Sequence, residues 1–417
     1  MKNKLIRIKN NKNISNSFLM VISSLLGQLL LVVSLPIISR LYSPHEFGIF
    51  TVFNNIAMLL IPIINARYDL LIINAKTKEE ASVFSIISFV ISLIILVFIF
   101  PFLIVNIILQ EDFLSETILL LLTLFLTSLT NIFTSFLNRE KLYNSLAIIN
   151  FLRIFSMILI QIILGYYEFG EIGLIIGFSF SYILGIGIGY KRFKTNFSKV
   201  SNLKLLKQSF KENIGQLYYS TPSILINSLS FSVIVFLIGL MYSTKEVGMY
   251  GMAIRVLGVP LTVISTSLSK IFMQEANNKY IKEGTFRLYL IKYSLLLGIL
   301  AIIMYIPFYL IDKMVISIIL GDEWSESIYI IRLLIPLYVI RLIVSTISLS
   351  VIVFKKQVLE LVFQSIFLFM SIFTFILAYL MKMSFTELLI TNSLTLFISY
   401  CLYYLMILKN SKNTQKR

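Results

Sequence analysis

Apolar segments of about 20 residues or more, separated by short polar turns, follow one another along almost the whole chain. Coiled as helices, segments of that length match the hydrocarbon thickness of a bilayer. Of the 417 residues, 58% are hydrophobic and 13% charged, where soluble domains carry about 25% charged residues. A soluble fold could not cover so much apolar surface, so lipid is the solvent for much of this protein. We expect an all-α membrane protein with spans at 14–41, 45–74, 79–109, 113–137, 142–166, 171–190, 213–241, 245–274, 287–319, 325–353, 357–381 and 385–408. The segment after the basic residues 1–13 is too long for a signal-peptide core and is expected to stay as the first helix. Pro101 and Pro307 are the expected kink points of the long spans 79–109 and 287–319, because proline removes a backbone donor and clashes with the preceding turn.

The charges supply an independent constraint on topology. There are 36 lysines and arginines. With a cytoplasmic N-terminus, only Arg40, Lys245, Lys313 and Lys382 fall on outer segments, and Arg153, Arg255, Lys292, Arg332 and Arg341 fall within spans. The rest, Lys199, Lys355, Lys416 and Arg417 among them, lie on inner segments, as the positive-inside rule requires. Outer turns are acidic instead, with Glu111, Asp112 and Glu116, then Glu168 and Glu171, then Asp322, Glu323 and Glu326. Both termini are therefore expected in the cytoplasm. Membrane orientation explains the net charge of +16 without nucleic acid. Cys401 is the sole cysteine and His45 the sole histidine, so no metal site of the usual Cys/His kind and no cofactor is expected.

A second pattern divides the spans. Residues 42–50 read YSPHEFGIF and residues 242–250 read YSTKEVGMY. Tyr42, Ser43, Glu46 and Gly48 thus recur as Tyr242, Ser243, Glu246 and Gly248, each copy between two apolar segments and followed by a proline, Pro62 or Pro260. The hydrophilic stretch 191–212 splits the spans six and six, so we expect homologous lobes at 1–190 and 213–417 joined by a basic cytoplasmic linker. Six helices between the copies give both lobes the same orientation, an arrangement common in transporters. Gly173, Gly177, Ser181, Gly185 and Gly189 recur every four residues along one helix face, suited to close packing or to sliding. Trp324 is expected as an interfacial anchor.

Candidate chemistry rests on arginines at membrane depth. Arg255 lies ten residues into its span, about 15 Å at the usual helical rise, and Arg153 lies at a similar depth. Charge there is costly enough to suggest a functional site. Lys292 can reach an interface by snorkelling. Arg332 and Arg341 share a helix, nine residues apart, and a regular helix cannot aim both into one cavity. At an offset of 200, Arg255 falls opposite Asn55, beside Asn54. A polar, cationic midplane with few deep carboxylates suits an anionic group such as a diphosphate, which the guanidinium fork fits. Arg67-Tyr68-Asp69 either gates a cavity or forms a local ion pair through Arg67 and Asp69. Gln28, Asn150, Gln161, Asn227, Gln364 and Asn392 either line a path or bond neighbouring helices.

The run LPIISRLYSPHEFGIF followed by NARYDLLIINAKTKEEA resembles the start of bacterial polysaccharide-export flippases. The matching residues are Leu41-Tyr42-Ser43-Pro44, Glu46-Phe47-Gly48, Arg67-Tyr68-Asp69 and Glu79-Glu80. Asn138-Arg139-Glu140-Lys141 and Leu320-Gly321-Asp322-Glu323-Trp324 are also similar to that family, the O-antigen and capsule repeat-unit translocases of the multidrug/oligosaccharidyl-lipid/polysaccharide exporter superfamily. The resemblance implies a MATE-like pair of six-helix lobes around a cationic cavity. It implies a non-enzymatic carrier in the bacterial inner membrane that moves an undecaprenyl-diphosphate-linked oligosaccharide outward by alternating access. Implied partners are the lipid-linked oligosaccharide, membrane lipids, a coupling cation, and a polysaccharide polymerase with its chain-length machinery. Alternatives are a related exporter of drugs or of a peptidoglycan precursor, whose relatives usually carry two further helices. A membrane polymerase would need a sizeable outer loop, and every outer turn here is short.

Overall fold

The computed structural model describes residues 2–109, 114–197, 203–354, 356 and 358–412. Glu111, Asp112, Lys199, Lys355, Lys416 and Arg417, read above as parts of polar turns, lie outside the described residues. Among the described residues the protein is helical, and its strand-type pairing is an isolated bridge between Thr285 and Lys412.

The chain divides into two compact units, residues 1–42 with 53–228 and residues 43–52 with 229–417. The first holds α1 (Lys2–Leu41), the second half of α2 (Pro44–Leu60), α3 (Tyr68–Asn74), α4 (Lys78–Leu109), α5 (Leu114–Arg139), α6 (Tyr143–Tyr166), α7 (Gly170–Asn196), α8 (Leu203–Glu212) and the start of α9 (Thr221–Met241). The second holds the first half of α2, the rest of α9, α10 (Thr244–Glu283), α11 (Arg287–Tyr305), α12 (Pro307–Leu310), α13 (Lys313–Leu320), α14 (Ser327–Ile347), α15 (Val358–Met381) and α16 (Phe385–Asn410).

Among the described residues, ten helical segments are long and apolar enough to cross a membrane, or eleven if the bent run 216–241 counts as one span. The expected twelfth, 45–74, is not one helix. It stops at Leu60 and resumes at Tyr68. Pro62 has no backbone N–H to give, and Ala66 and Arg67 adopt positive φ values of 44° and 65°. Turn bonds from Ala66 N to Ile63 O and from Tyr68 N to Asn65 O replace the helical ladder. Pro260, the matching proline of the second copy, leaves α10 continuous to Glu283, where Gly284 closes it at φ 69°. The expected span 287–319 breaks at Pro307, which opens α12, and again before α13. By contrast, α4 runs through Pro101.

Lipid gives helices little reason to associate, so close packing and internal hydrogen bonds must hold them. The small-residue face of α7 packs closely. A Cβ on Gly177 would press on Gln161 of α6, one on Gly185 would lie 2.9 Å from Ile149, and one on Gly189 would lie 2.6 Å from Phe133. Gln161, fully buried, donates to Leu174 O at 2.9 Å, and Asn392 accepts from Thr374 at 3.2 Å. These two membrane-depth amides therefore bond neighbouring helices.

Candidate functional site

The two repeated turns build matching helix caps. Ser43 and Glu46 form a reciprocal cap at the start of α2: Ser43 N donates to the Glu46 carboxylate at 2.7 Å, and Glu46 N donates to Ser43 Oγ at 3.3 Å. Ser243 and Glu246 repeat that cap at the start of α10, with 2.8 and 3.3 Å. Such boxes satisfy amide donors that a helix start otherwise leaves open. The two tyrosines also act alike. Tyr42 donates to Gln161 O at 2.6 Å within the first unit, and Tyr242 donates to Met383 O at 2.8 Å within the second.

The first turns of α2 place Phe47 and Phe50 beside Arg255 of α10, all within the second unit. The Arg255 guanidinium carbon lies 4.9 Å from the Phe47 ring centre and 5.2 Å from that of Phe50. Its Nη1 is buried with no hydrogen-bond partner among the described residues, and no carboxylate among them lies within 4.0 Å. Cation–π contact recovers part of the cost of a desolvated guanidinium but satisfies none of its N–H groups. Phe47 in turn meets Trp324 edge-on at 5.4 Å. Trp324 is 1% exposed, so it is a packing residue and not the interfacial anchor expected. It follows the tight turn at Gly321, whose φ is 100°, and its backbone N–H donates to Gly321 O at 3.1 Å.

The other expected site residues have separate surroundings. Arg153 donates from Nη1 to the Tyr182 hydroxyl at 3.1 Å and lines a polar cavity of about 330 Å³ within the first unit. Asn54 and Asn55 are half-buried on α2. Arg332 donates to Phe308 O at 3.3 Å and Ile311 O at 2.6 Å, closing carbonyls at the end of α12. Its apolar stem borders a cavity of about 440 Å³ with Tyr309, Pro336 and Phe397. Arg341 lies 5.6 Å from the Tyr338 ring centre, with the hydroxyls of Tyr250, Tyr305 and Tyr400 also in electrostatic reach. Asn150 shares the cavity of Arg153.

Of the two alternatives for Arg67 and Asp69, gating or a local ion pair, no Arg67–Asp69 bridge within 4.0 Å is present among the described residues, and Arg67 Nε is buried without a partner among them. The positive φ at Arg67 places it at the break, as the residue that caps the start of α3. The residue between them does the joining. Tyr68 is fully buried, donates to Phe210 O at 3.2 Å and Asn213 O at 3.1 Å, and stacks on Phe210 at 5.6 Å. It ties α3 to the linker helix α8.

The family model for polysaccharide biosynthesis proteins matches residues 37–329. The chain belongs to that family. Residues 37–329 contain both copies of the repeated turn, Tyr68, Arg153 and Arg255. No curated protein sequence matches the chain. Among solved structures it is similar to an inward-facing multidrug resistance MATE family transporter of the MOP superfamily, at TM-score 0.64 and 15% identity, covering 93% of this chain and 96% of that one. It is also similar to the lipid II flippase MurJ in an inward closed conformation, at TM-score 0.66 and 16% identity, covering 95% and 87%. A MOP superfamily transporter from Pyrococcus furiosus follows at TM-score 0.50 and 15% identity, over 95% and 92%. These likenesses establish the two-lobed, all-helical membrane fold expected from the sequence.

Two contributors escaped the sequence reading. Asn65, 1% exposed, donates to Ser128 Oγ at 2.8 Å and accepts from Asn131 at 3.1 Å, bracing the break after α2. Arg139 donates to Ala75 O at 3.1 Å and pairs with Glu140 at 2.6 Å, fixing the end of α5 to the residue after α3. For Asn65, the available signal was an amide in an apolar run, immediately before the positive-φ residues Ala66 and Arg67.

Proposed function

We propose that this protein is a flippase that carries a diphosphate-linked oligosaccharide repeat unit, of O-antigen or capsule type, across the bacterial inner membrane by alternating access. Arg255 carries the reading. A guanidinium at membrane depth, stacked on Phe47 and Phe50 with a buried N–H and no carboxylate, has the cation but lacks the anion. Leaving a buried charge uncompensated costs several kcal/mol, on the order of 3–5 in measured cases. A transient diphosphate would supply the missing partner, and the fork geometry suits phosphate oxygens. Arg153, Asn54, Asn55 and Arg341 are further polar contacts for the cargo, while Arg67 and Asp69 remain candidates for gating. Lobes at 1–190 and 213–417, the linker 191–212 and cytoplasmic termini complete the scheme. Membership of the polysaccharide biosynthesis family supports a glycan cargo.

Reconstituted protein tests the reading. A lipid-diphosphate oligosaccharide placed in the inner leaflet of vesicles should become accessible to an external glycosidase with the wild-type protein and not with Arg255→Ala. Equal rates with the folded Ala variant would remove Arg255 from the site. The MurJ-like fold favours one second reading, a peptidoglycan-precursor carrier. Movement of lipid II in the same vesicles, without movement of a repeat unit, would select it.

A further inference from the structure

The cavity beside Arg153 has a hydrogen-bonding polarity that narrows what can occupy it. It lies within the first unit, with one face from α5, one from α6 and a corner from α7. On α5, Thr127, Thr130 and Thr134 recur at three- and four-residue spacing, so their side chains share that face. Each hydroxyl hydrogen is already committed to its own helix: Thr127 donates to Thr123 O at 2.7 Å, Thr130 to Leu126 O at 2.9 Å and Thr134 to Thr130 O at 2.7 Å. What the row offers a ligand is therefore lone pairs. Asn131, Ser135, Asn138 and Asn150 also line the cavity and can donate or accept, and Arg153 with Tyr182 supplies its cationic donors. Arg153 has five N–H groups and gives one to Tyr182, whose own hydroxyl hydrogen remains available. No carboxylate lines the cavity.

That asymmetry excludes simpler occupants. A bare cation would meet good oxygen ligands at the threonines but also the fixed charge of Arg153. A halide or phosphate would suit Arg153, Tyr182 and the amide donors, yet would leave the lone pairs of the three threonines without a donor. The fitting ligand accepts at one end, where it is anionic, and donates hydroxyl hydrogens at the other. The volume of about 330 Å³ stands at the small end of ligand sites, which begin at about 300 Å³. We infer that this cavity holds one acidic sugar ring, its carboxylate on Arg153 and Tyr182 and its hydroxyls on Thr127, Thr130 and Thr134. The inference deepens the flippase reading and rests on it for the source of the sugar; the recognition chemistry stands without it.

Binding to the purified protein separates the possibilities. Sodium glucuronate, glucose and sodium acetate would be titrated at equal concentrations and followed by saturation-transfer NMR. Glucuronate should bind about tenfold more tightly than either of the others, since each lacks one half of the recognition. Arg153→Gln should bring glucuronate down to the level of glucose, and Thr130→Val with Thr134→Val should bring it down to the level of acetate. Arg153→Lys, which keeps the charge but loses the fork, should fall between. Acetate competing as well as glucuronate would reduce the cavity to a small-anion site and overturn the inference. Unchanged glucuronate binding in folded Arg153→Gln would also overturn it. Should that variant fail to fold, the double threonine variant decides: a glucuronate preference that survives it contradicts the assignment. Transport is read separately in vesicles, with neutral and acidic repeat units. Arg153→Gln should slow the acidic unit more than the neutral one. Failure of the wild-type protein to move either would defeat the flippase reading and leave the binding result intact.

Discussion

Gly48 and Gly248 meet backbone to backbone: a Cβ on Gly248 would lie 3.0 Å from Gly48 N and overlap the carbonyl oxygen of Pro44, while one on Gly48 would overlap the carbonyl oxygen of Thr244. The contact is reciprocal between the two copies of the repeated turn. In lipid, such small-residue crossings let helices bond through closely approached backbones. This crossing positions Phe47 and Phe50 over Arg255, so a motif that looks like a turn in sequence serves the arginine eleven residues beyond the start of α10.

Gly48→Ala and Gly248→Ala should each destabilise the protein by about 1–3 kcal/mol, because neither carbonyl can yield without moving its helix. Thermal unfolding in detergent checks this. Gly187→Ala is the control: no atom lies within 4 Å of its would-be Cβ, and its midpoint should not fall.

Tyr42→Phe and Tyr242→Phe should each cost about 0.5–1.5 kcal/mol, the usual value of one lost hydrogen bond. Ser43→Ala and Ser243→Ala should cost about 1 kcal/mol through the lost caps. Similar losses in the two copies are expected from the matched geometry. A large loss in one copy alone would contradict equivalent roles.

The sequence made the helices legible because membrane spans declare themselves by length and apolarity, and α5, α6 and α7 fall where expected. It also exposed the repeated turn, although the Ser-x-x-Glu spacing that builds both caps was legible there and went unread. What hid was conformation that depends on partners. The break at 61–67 depends on Asn65 finding Ser128 and Asn131, more than 60 residues away in sequence, and nothing local distinguishes Pro62 from Pro260. Trp324 is buried because Phe47 reaches it from another segment. The arginines were visible as a group, but their surroundings separate them into carbonyl-bound Arg332, ring-stacked Arg255 and cavity-lining Arg153.

Those surroundings predict different phenotypes. Arg332→Ala should lower the unfolding midpoint, since charge-assisted bonds to two carbonyls are lost, at about 1.5–3 kcal/mol for each such bond. Arg255→Ala should leave the midpoint unchanged or raise it, and abolish export. Arg255→Lys should retain part of the activity. Folded Arg255→Ala with full export would contradict the assignment.

Topology can be read by impermeant thiol labelling of intact cells in a Cys401→Ser background. Lys245→Cys, exposed beside the second copy of the turn, should label from outside, and Lys204→Cys, exposed on α8, should not. The reverse result would invert the orientation inferred from the basic residues.

The central claim is that the chain moves a finished repeat unit and does not make one. Charge alone at the bilayer centre costs at least about 2.5–3.5 kcal/mol, so an undelivered diphosphate-linked unit should stay where it was assembled. The most direct measurement is the leaflet location of lipid-linked repeat units in a deletion strain, by their access to an impermeant lectin or glycosidase. Units accumulating only on the cytoplasmic leaflet, with no surface polymer, are the predicted result; the same units accumulating on the outer leaflet would contradict it and point to a polymerase.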